Sequence, residues 1–162
     1  MKKLFTILAL TIGFSMNAQL GPITDIAGKT GQRLTNAIPE NHGNIGNKAL
    51  DLSYQTQTGD RGAKGTYSTA MGQNTTAGGL TEEGNCCTGL GSTAMGYQTT
   101  ASKLGSTAIG RETTASILSS MTMGYQTTAS GRYSTAMGYN TTASDYGSLV
   151  IGQYNSAGST AT

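Results

Sequence analysis

The chain has 162 residues, a formal net charge of +2 and only 11% charged residues. Two of its ten basic residues, Lys2 and Lys3, stand at the extreme N-terminus; the other eight face eight acidic ones. A chain this neutral carries no electrostatic footprint for nucleic acid or for an acidic membrane surface.

Met1–Lys3 is a positive start, Leu4–Phe14 a short apolar run and Ser15–Ala18 a small and polar exit. That is the pattern of a secretory signal peptide over residues 1–18, cut after Ala18; Met16 stands where a small residue is usual. The run is too short for a stable membrane span, and no later stretch could cross a bilayer as a helix. Residues 19–64 hold both prolines and the only histidine, His42, in a weaker pattern. They are expected to form an irregular N-terminal capping segment with one or two degenerate coils. Gly28-Lys29-Thr30 echoes the end of a phosphate loop, but Ile23 stands where the first Gly should be, and a secreted chain meets little ATP.

Residues 65–162 are organised by a repeat. Six times Met or Ile is followed by Gly: Met71-Gly72, Met95-Gly96, Ile109-Gly110, Met123-Gly124, Met137-Gly138 and Ile151-Gly152, with a fixed spacing of fourteen from Met95 onward. Fourteen is two heptads, but a coiled coil needs Leu or Ile at two positions in seven. These units are Gly, Thr, Ser and Ala, and Gly costs a helix interior about 1 kcal/mol relative to Ala. The spacing therefore predicts a parallel β-solenoid, each unit one coil of two short strands and two turns, stacked on its copies.

Such a coil is narrow. Ser, Ala, Gly and the first Thr of each Thr pair are expected inside, with Met and Ile outside; the reverse parity is the alternative. The outer face of the first strand then carries an apolar stripe of Met95, Ile109, Met123, Met137 and Ile151. A soluble monomer rarely exposes so continuous a stripe, and a core of Ala and Ser buries little area. Both points predict a homo-oligomer.

Two further features are singled out. The residue after each repeat Gly is Gln73, Tyr97, Arg111, Tyr125, Tyr139 and Gln153. Stacked coils would set these in a ladder about 4.8 Å apart, with Arg111 between Tyr97 and Tyr125 as a cation–π sandwich. The column is either a grip for a glycan or protein, or a structural cover for the turns and the next chain. Met71 to Met95 spans ten residues more than a unit, which predicts an insertion loop at about 78–89. The loop holds Glu82, Glu83, Cys86 and Cys87. The cysteines are adventitious, or in an oxidising compartment a candidate disulfide, vicinal or between chains. They have no CxxC partner and His42 is distant, so no zinc site is expected.

The motif S-x-A-[MI]-G-x-x-T-x-A, over about Gly65–Ser156, resembles the head repeats of trimeric autotransporter adhesins of the YadA type, S-x-A-x-G-x-x-S-x-A-x-G. Thr replaces the second Ser, and the final Gly becomes Lys103, Ile117 or Asp145, with Gly131 keeping it. Asn44–Ser53 (NIGNKALDLS) is similar to the lead-in of such repeats in secreted proteins of Bacteroidetes-type bacteria. The resemblance implies an all-β, left-handed parallel β-roll assembled as a homotrimer at the cell surface, on the outer membrane exterior. It implies a non-enzymatic adhesin or fibre head without cofactor or metal, whose partner is an extracellular protein or glycan. The stripe would then be the trimer interface, and Tyr97, Arg111, Tyr125, Tyr139, Glu82 and Glu83 the candidate ligand surface. The repeat breaks off at Thr162 before another full unit, with no stalk or anchor in view, so the sequence is expected to be a piece of something longer.

The residues suggest no catalytic constellation. Asn74-Thr75-Thr76 and Asn140-Thr141-Thr142 fit the glycosylation sequon and read as coincidences of a Thr-rich repeat. The alternative function is ice binding, through a hydroxyl grid of Thr100/Ser102, Thr114/Ser116, Thr128/Ser130 and Thr142/Ser144.

Overall fold

The computed structural model describes residues 20–24, 30–34, 41–42, 44–56, 59, 61–78 and 89–157. Each unit is one coil with a five-residue strand and a two-residue strand, and from Thr93 onward the coils are fourteen residues long. The coils are β3 (Leu50–Tyr54) with β4 (Gly62–Ala63), β5 (Thr69–Gln73) with β6 (Thr76–Ala77), and β7 (Thr93–Tyr97) with β8 (Thr100–Ala101). They continue with β9 (Thr107–Arg111) and β10 (Thr114–Ala115), β11 (Met121–Tyr125) and β12 (Thr128–Ala129), β13 (Thr135–Tyr139) and β14 (Thr142–Ala143), and β15 (Leu149–Gln153) and β16 (Ser156–Ala157). The longer strands stack in parallel as one sheet and the two-residue strands as a second, seven-stranded sheet. Ahead of the coils, β1 (Leu20–Thr24) and β2 (Thr30–Leu34) pair antiparallel, and β2 joins the longer sheet beside β3. The chain is thus a parallel β-roll, and among the described residues it has no α-helix.

Small side chains fill the roll because it is only two short strands wide. Ala70, Ala94, Ala108 and Ala136 from the longer strands, and Ala63, Ala77, Ala101, Ala115, Ala129 and Ala143 from the shorter ones, are completely buried. Thr75, Thr99, Thr113, Thr127 and Thr141 form a third buried column. From Ser92 onward the Ser column closes one turn of each coil. Its hydroxyls donate to a carbonyl three residues back: Ser92 to Gly89 (2.9 Å), Ser106 to Lys103 (2.7 Å), Ser120 to Ile117 (2.8 Å) and Ser134 to Gly131 (2.7 Å). Alternation along a strand then turns Met and Ile outward.

The repeat Gly departs from that alternation. It was expected inside the coil, but Gly72, Gly96, Gly124 and Gly138 are exposed, with φ between +110° and +124°. A Cβ on Gly96 would stand 1.9 Å from the carbonyl oxygen of Gly110. These glycines let neighbouring coils approach at the corner, where neither a side chain nor its usual φ would fit. The corner turns at the second residue after each Gly, which is left-handed: Gln98 (φ 52°), Glu112 (56°), Gln126 (51°) and Asn140 (51°). Their amides donate to the preceding coil: Gln98 to Gln73 O (2.8 Å), Glu112 to Tyr97 O (2.8 Å), Gln126 to Arg111 O (2.9 Å) and Asn140 to Tyr125 O (2.8 Å). The left-handed conformation keeps the ladder of hydrogen bonds unbroken around the corner.

The coils flanking residues 79–88 pair in register. Thr69, Ala70, Met71, Gly72 and Gln73 face Thr93, Ala94, Met95, Gly96 and Tyr97, and Thr76–Ala77 faces Thr100–Ala101.

Candidate functional site

In-register stacking converts each position of the repeat into a column. On the outer face of the longer sheet, Leu52, Met71, Met95, Ile109, Met123, Met137 and Ile151 are consecutive partners. Within a single chain this stripe is half-buried to exposed, with Met123 at 38% and Ile151 at 58%. It is a continuous apolar strip running the length of the stack.

Two residues along each strand, on the same face, lies the column of the strand ends. The guanidinium of Arg111 stands over the rings of Tyr97 and Tyr125, 5.6 Å and 5.2 Å from their centroids. Tyr125 stacks in turn on Tyr139, with centroids 5.2 Å apart and planes inclined by 16°. Tyr139 meets the edge of Tyr154 at 5.2 Å and 77°. The Tyr139 hydroxyl is held above its ordinary pKa, first by its hydrogen bond with Tyr154 and then by the neighbouring phenols. The Nε of Arg111 donates to Glu112 Oε1 at 3.1 Å, and Gln126 Nε2 donates to Glu112 Oε2 at 2.9 Å. The rings, the cation and its counter-ion thus form one ordered strip across neighbouring coils.

At the N-terminal end sits a polar cluster that the repeat pattern does not foretell. Asp51 occupies the interior column, opposite Ala70, and is fully buried. Arg33 Nε donates to its Oδ2 at 2.9 Å, and His42 Nδ1 lies 3.1 Å from the same oxygen. Ser53 donates to Oδ1 through both its hydroxyl and its backbone amide. Gln55 Nε2 donates to Ser53 Oγ (2.8 Å) and Thr75 O (3.1 Å), and Asn41 Nδ2 donates to Gln55 O (2.9 Å). Burial pushes the Asp51 carboxyl up, but the hydrogen bonds from His42 and Ser53 and the charge of Arg33 outweigh it and hold the pKa below its ordinary value. Ser53 and His42 both bind the carboxylate rather than each other, and the cluster is closed to solvent, so it forms no nucleophilic relay. Its work is to tie residues 33, 41 and 42 to the first coil. The one visible signal in the sequence is Asp51 itself, a charge at an inward position of the strand.

Several expected features, namely the signal peptide at 1–18 and Glu82, Glu83, Cys86 and Cys87 of the insertion, lie outside the described residues. Among the described residues no three or more His, Cys, Asp or Glu side chains come together as a metal site, and no helix is long and apolar enough to cross a membrane.

Coils of this length, with Ser and Ala inside and Gly at the corner, define a narrow parallel β-roll built of head-type repeats. The YadA head domain repeat matches the chain in two copies, over residues 63–80, 88–113, 119–141 and 129–155, which is half of its length. The chain belongs to the YadA head repeat family. No curated protein and no solved structure shows a significant match.

Proposed function

We propose that this chain is the head of a trimeric surface adhesin, non-enzymatic, displayed outside the outer membrane. Three rolls pack through Met95, Ile109, Met123, Met137 and Ile151. The observation that carries this reading is the unbroken apolar stripe, which a lone chain leaves open to water. Burying it between chains supplies the apolar area that an interior of Ala, Ser and Thr lacks. The family supports the same assembly. At the margin of the stripe, Tyr97, Arg111, Tyr125 and Tyr139 form the ligand surface, and the roll is the rigid spacer that presents it.

Light scattering on the purified protein tests the assembly, with a mass of three chains expected. Replacing Met123 and Met137 by Asp places two charges per chain in a desolvated seam, at several kcal/mol each, and should yield monomers. A wild-type monomer would end the proposal. A second reading, ice binding, is supported by the register of Thr100, Thr114, Thr128 and Thr142 on the outside of the shorter sheet. Ice crystals grown with the purified protein test it, and unshaped crystals would end it.

A further inference from the structure

The geometry of the strand-end column selects a ligand chemistry. A sugar gripped by aromatic side chains ordinarily lies on an open ring face. Here Tyr125 has the Arg111 guanidinium on one face and the Tyr139 ring on the other, and one face of Tyr97 is also taken by Arg111. At Arg111 and Tyr125 the column leaves a partner its edge: a phenol hydroxyl and the outer side of one guanidinium.

That guanidinium is ordered yet available. The Arg111 side chain is 60% exposed, and its position is set by two rings and by Glu112 through Nε. Its two Nη groups have no acceptor among the described residues. Arg111 is the only charged member of its column; its partners along the stack are Tyr97 and Tyr125, then Tyr139 and Gln153. A planar fork of N–H donors matches a carboxylate in a two-point contact, and a fork already held in place loses little freedom on binding. From Arg111 the column continues through the edges of Tyr125 and Tyr139, and Tyr154, the residue after the column's Gln153, packs on Tyr139 and adds its hydroxyl. Tyr139 is 41% and Tyr154 64% exposed.

We propose that the Tyr97–Arg111–Tyr125–Tyr139 column binds an acidic polysaccharide, with a carboxylate on the Arg111 Nη pair and neighbouring sugar hydroxyls on the tyrosine edges. This rests on the adhesin reading and names the ligand class of that surface. An acidic peptide would match the cation but not the hydroxyl run beyond it. Glu112 offsets part of the attraction, so a single site is weak. Three sites on one trimer, meeting a polymer that repeats its carboxylate, bind through multivalency.

The test uses the full chain on surfaces coated with polygalacturonate, neutral dextran or polyglutamate. Retention on polygalacturonate is expected, falling as salt rises, with little on the other two. Arg111→Gln should cut retention at least tenfold. Arg111→Lys should fall between, because the charge remains and the fork is lost. Glu112→Gln should raise retention, which separates the proposal from simple damage to the fold; light scattering of each variant reads assembly independently. Equal retention of wild type and Arg111→Gln, equal retention on dextran, stronger retention on polyglutamate, or no retention at all would overturn the polysaccharide assignment. Adherence of cells displaying the chain tests the adhesin reading separately: adherence that survives Arg111→Gln leaves that reading standing while this one falls.

Discussion

A Cβ placed on Gly110 would stand 2.0 Å from the carbonyl oxygen of Gly124, one coil further along the stack. Gly110 also has φ +127°, a conformation that other residues rarely adopt. Gly110→Ala therefore meets both strain and a backbone clash, and is expected to cost about 4 kcal/mol or more. Gly91 also has positive φ (+62°), but a Cβ placed there would meet nothing within 4 Å. Gly91→Ala should cost only the left-handed penalty, about 1–2 kcal/mol. Denaturant midpoints of the two variants give the comparison, and equal losses would contradict the close approach at the corner.

Asp51 predicts an acid limit to stability. Its folded pKa lies below its ordinary value of 3.8. The stabilisation is therefore present above the unfolded pKa of about 3.9 and is lost as pH falls through the folded one. Thermal midpoints should be level above about pH 5 and drop below about pH 4. Asp51→Asn should flatten this dependence and also destabilise the protein at neutral pH, by about 1.5–3 kcal/mol, because the hydrogen bonds that Arg33 and Ser53 donate to a charged carboxylate are weakened or lost. An unchanged pH profile in Asp51→Asn would show that other carboxylates set the acid limit.

The buried Thr column predicts a gain. The hydroxyls of Thr99, Thr113, Thr127 and Thr141 have no hydrogen-bond partner among the described residues. An unpaired buried hydroxyl costs about 1–3 kcal/mol, and Val has nearly the shape of Thr. Thr127→Val should raise stability by about 1 kcal/mol, read as a higher denaturant midpoint. A loss of that size would mean that the hydroxyl is paired.

Removing residues 79–88 should leave the stack intact. The deletion joins Gly78 to Gly89 and leaves the four-residue turn Gly78–Gly89–Leu90–Gly91, the length of Ser102–Lys103–Leu104–Gly105. The strands on either side already pair in register. Circular dichroism and light scattering of the deleted chain are expected to match wild type, whereas any binding that belongs to Glu82 and Glu83 should vanish. A collapsed β signal would place the insertion in the core.

The period, the parity and the ladder are legible in the sequence because they share one cause. A spacing of fourteen stacks each residue on its copy, so Ala94 on Ala108 and Arg111 between Tyr97 and Tyr125 follow without knowledge of any loop. Small residues must line so narrow a coil, which sends Met95 and Ile109 outward. Other features needed the tertiary structure. Alternation assigns the repeat Gly to the interior, whereas positive φ turns it toward the next coil. The ring faces of Tyr125 are spent inside the column, which spacing alone does not reveal because it depends on side-chain orientation. Asp51 meets Arg33 and His42 only because a segment outside the repeat folds back over the first coil. Periodicity predicts contacts between equivalent residues; a contact made once, between a repeat and a segment with no period, is decided by the packing of the whole chain.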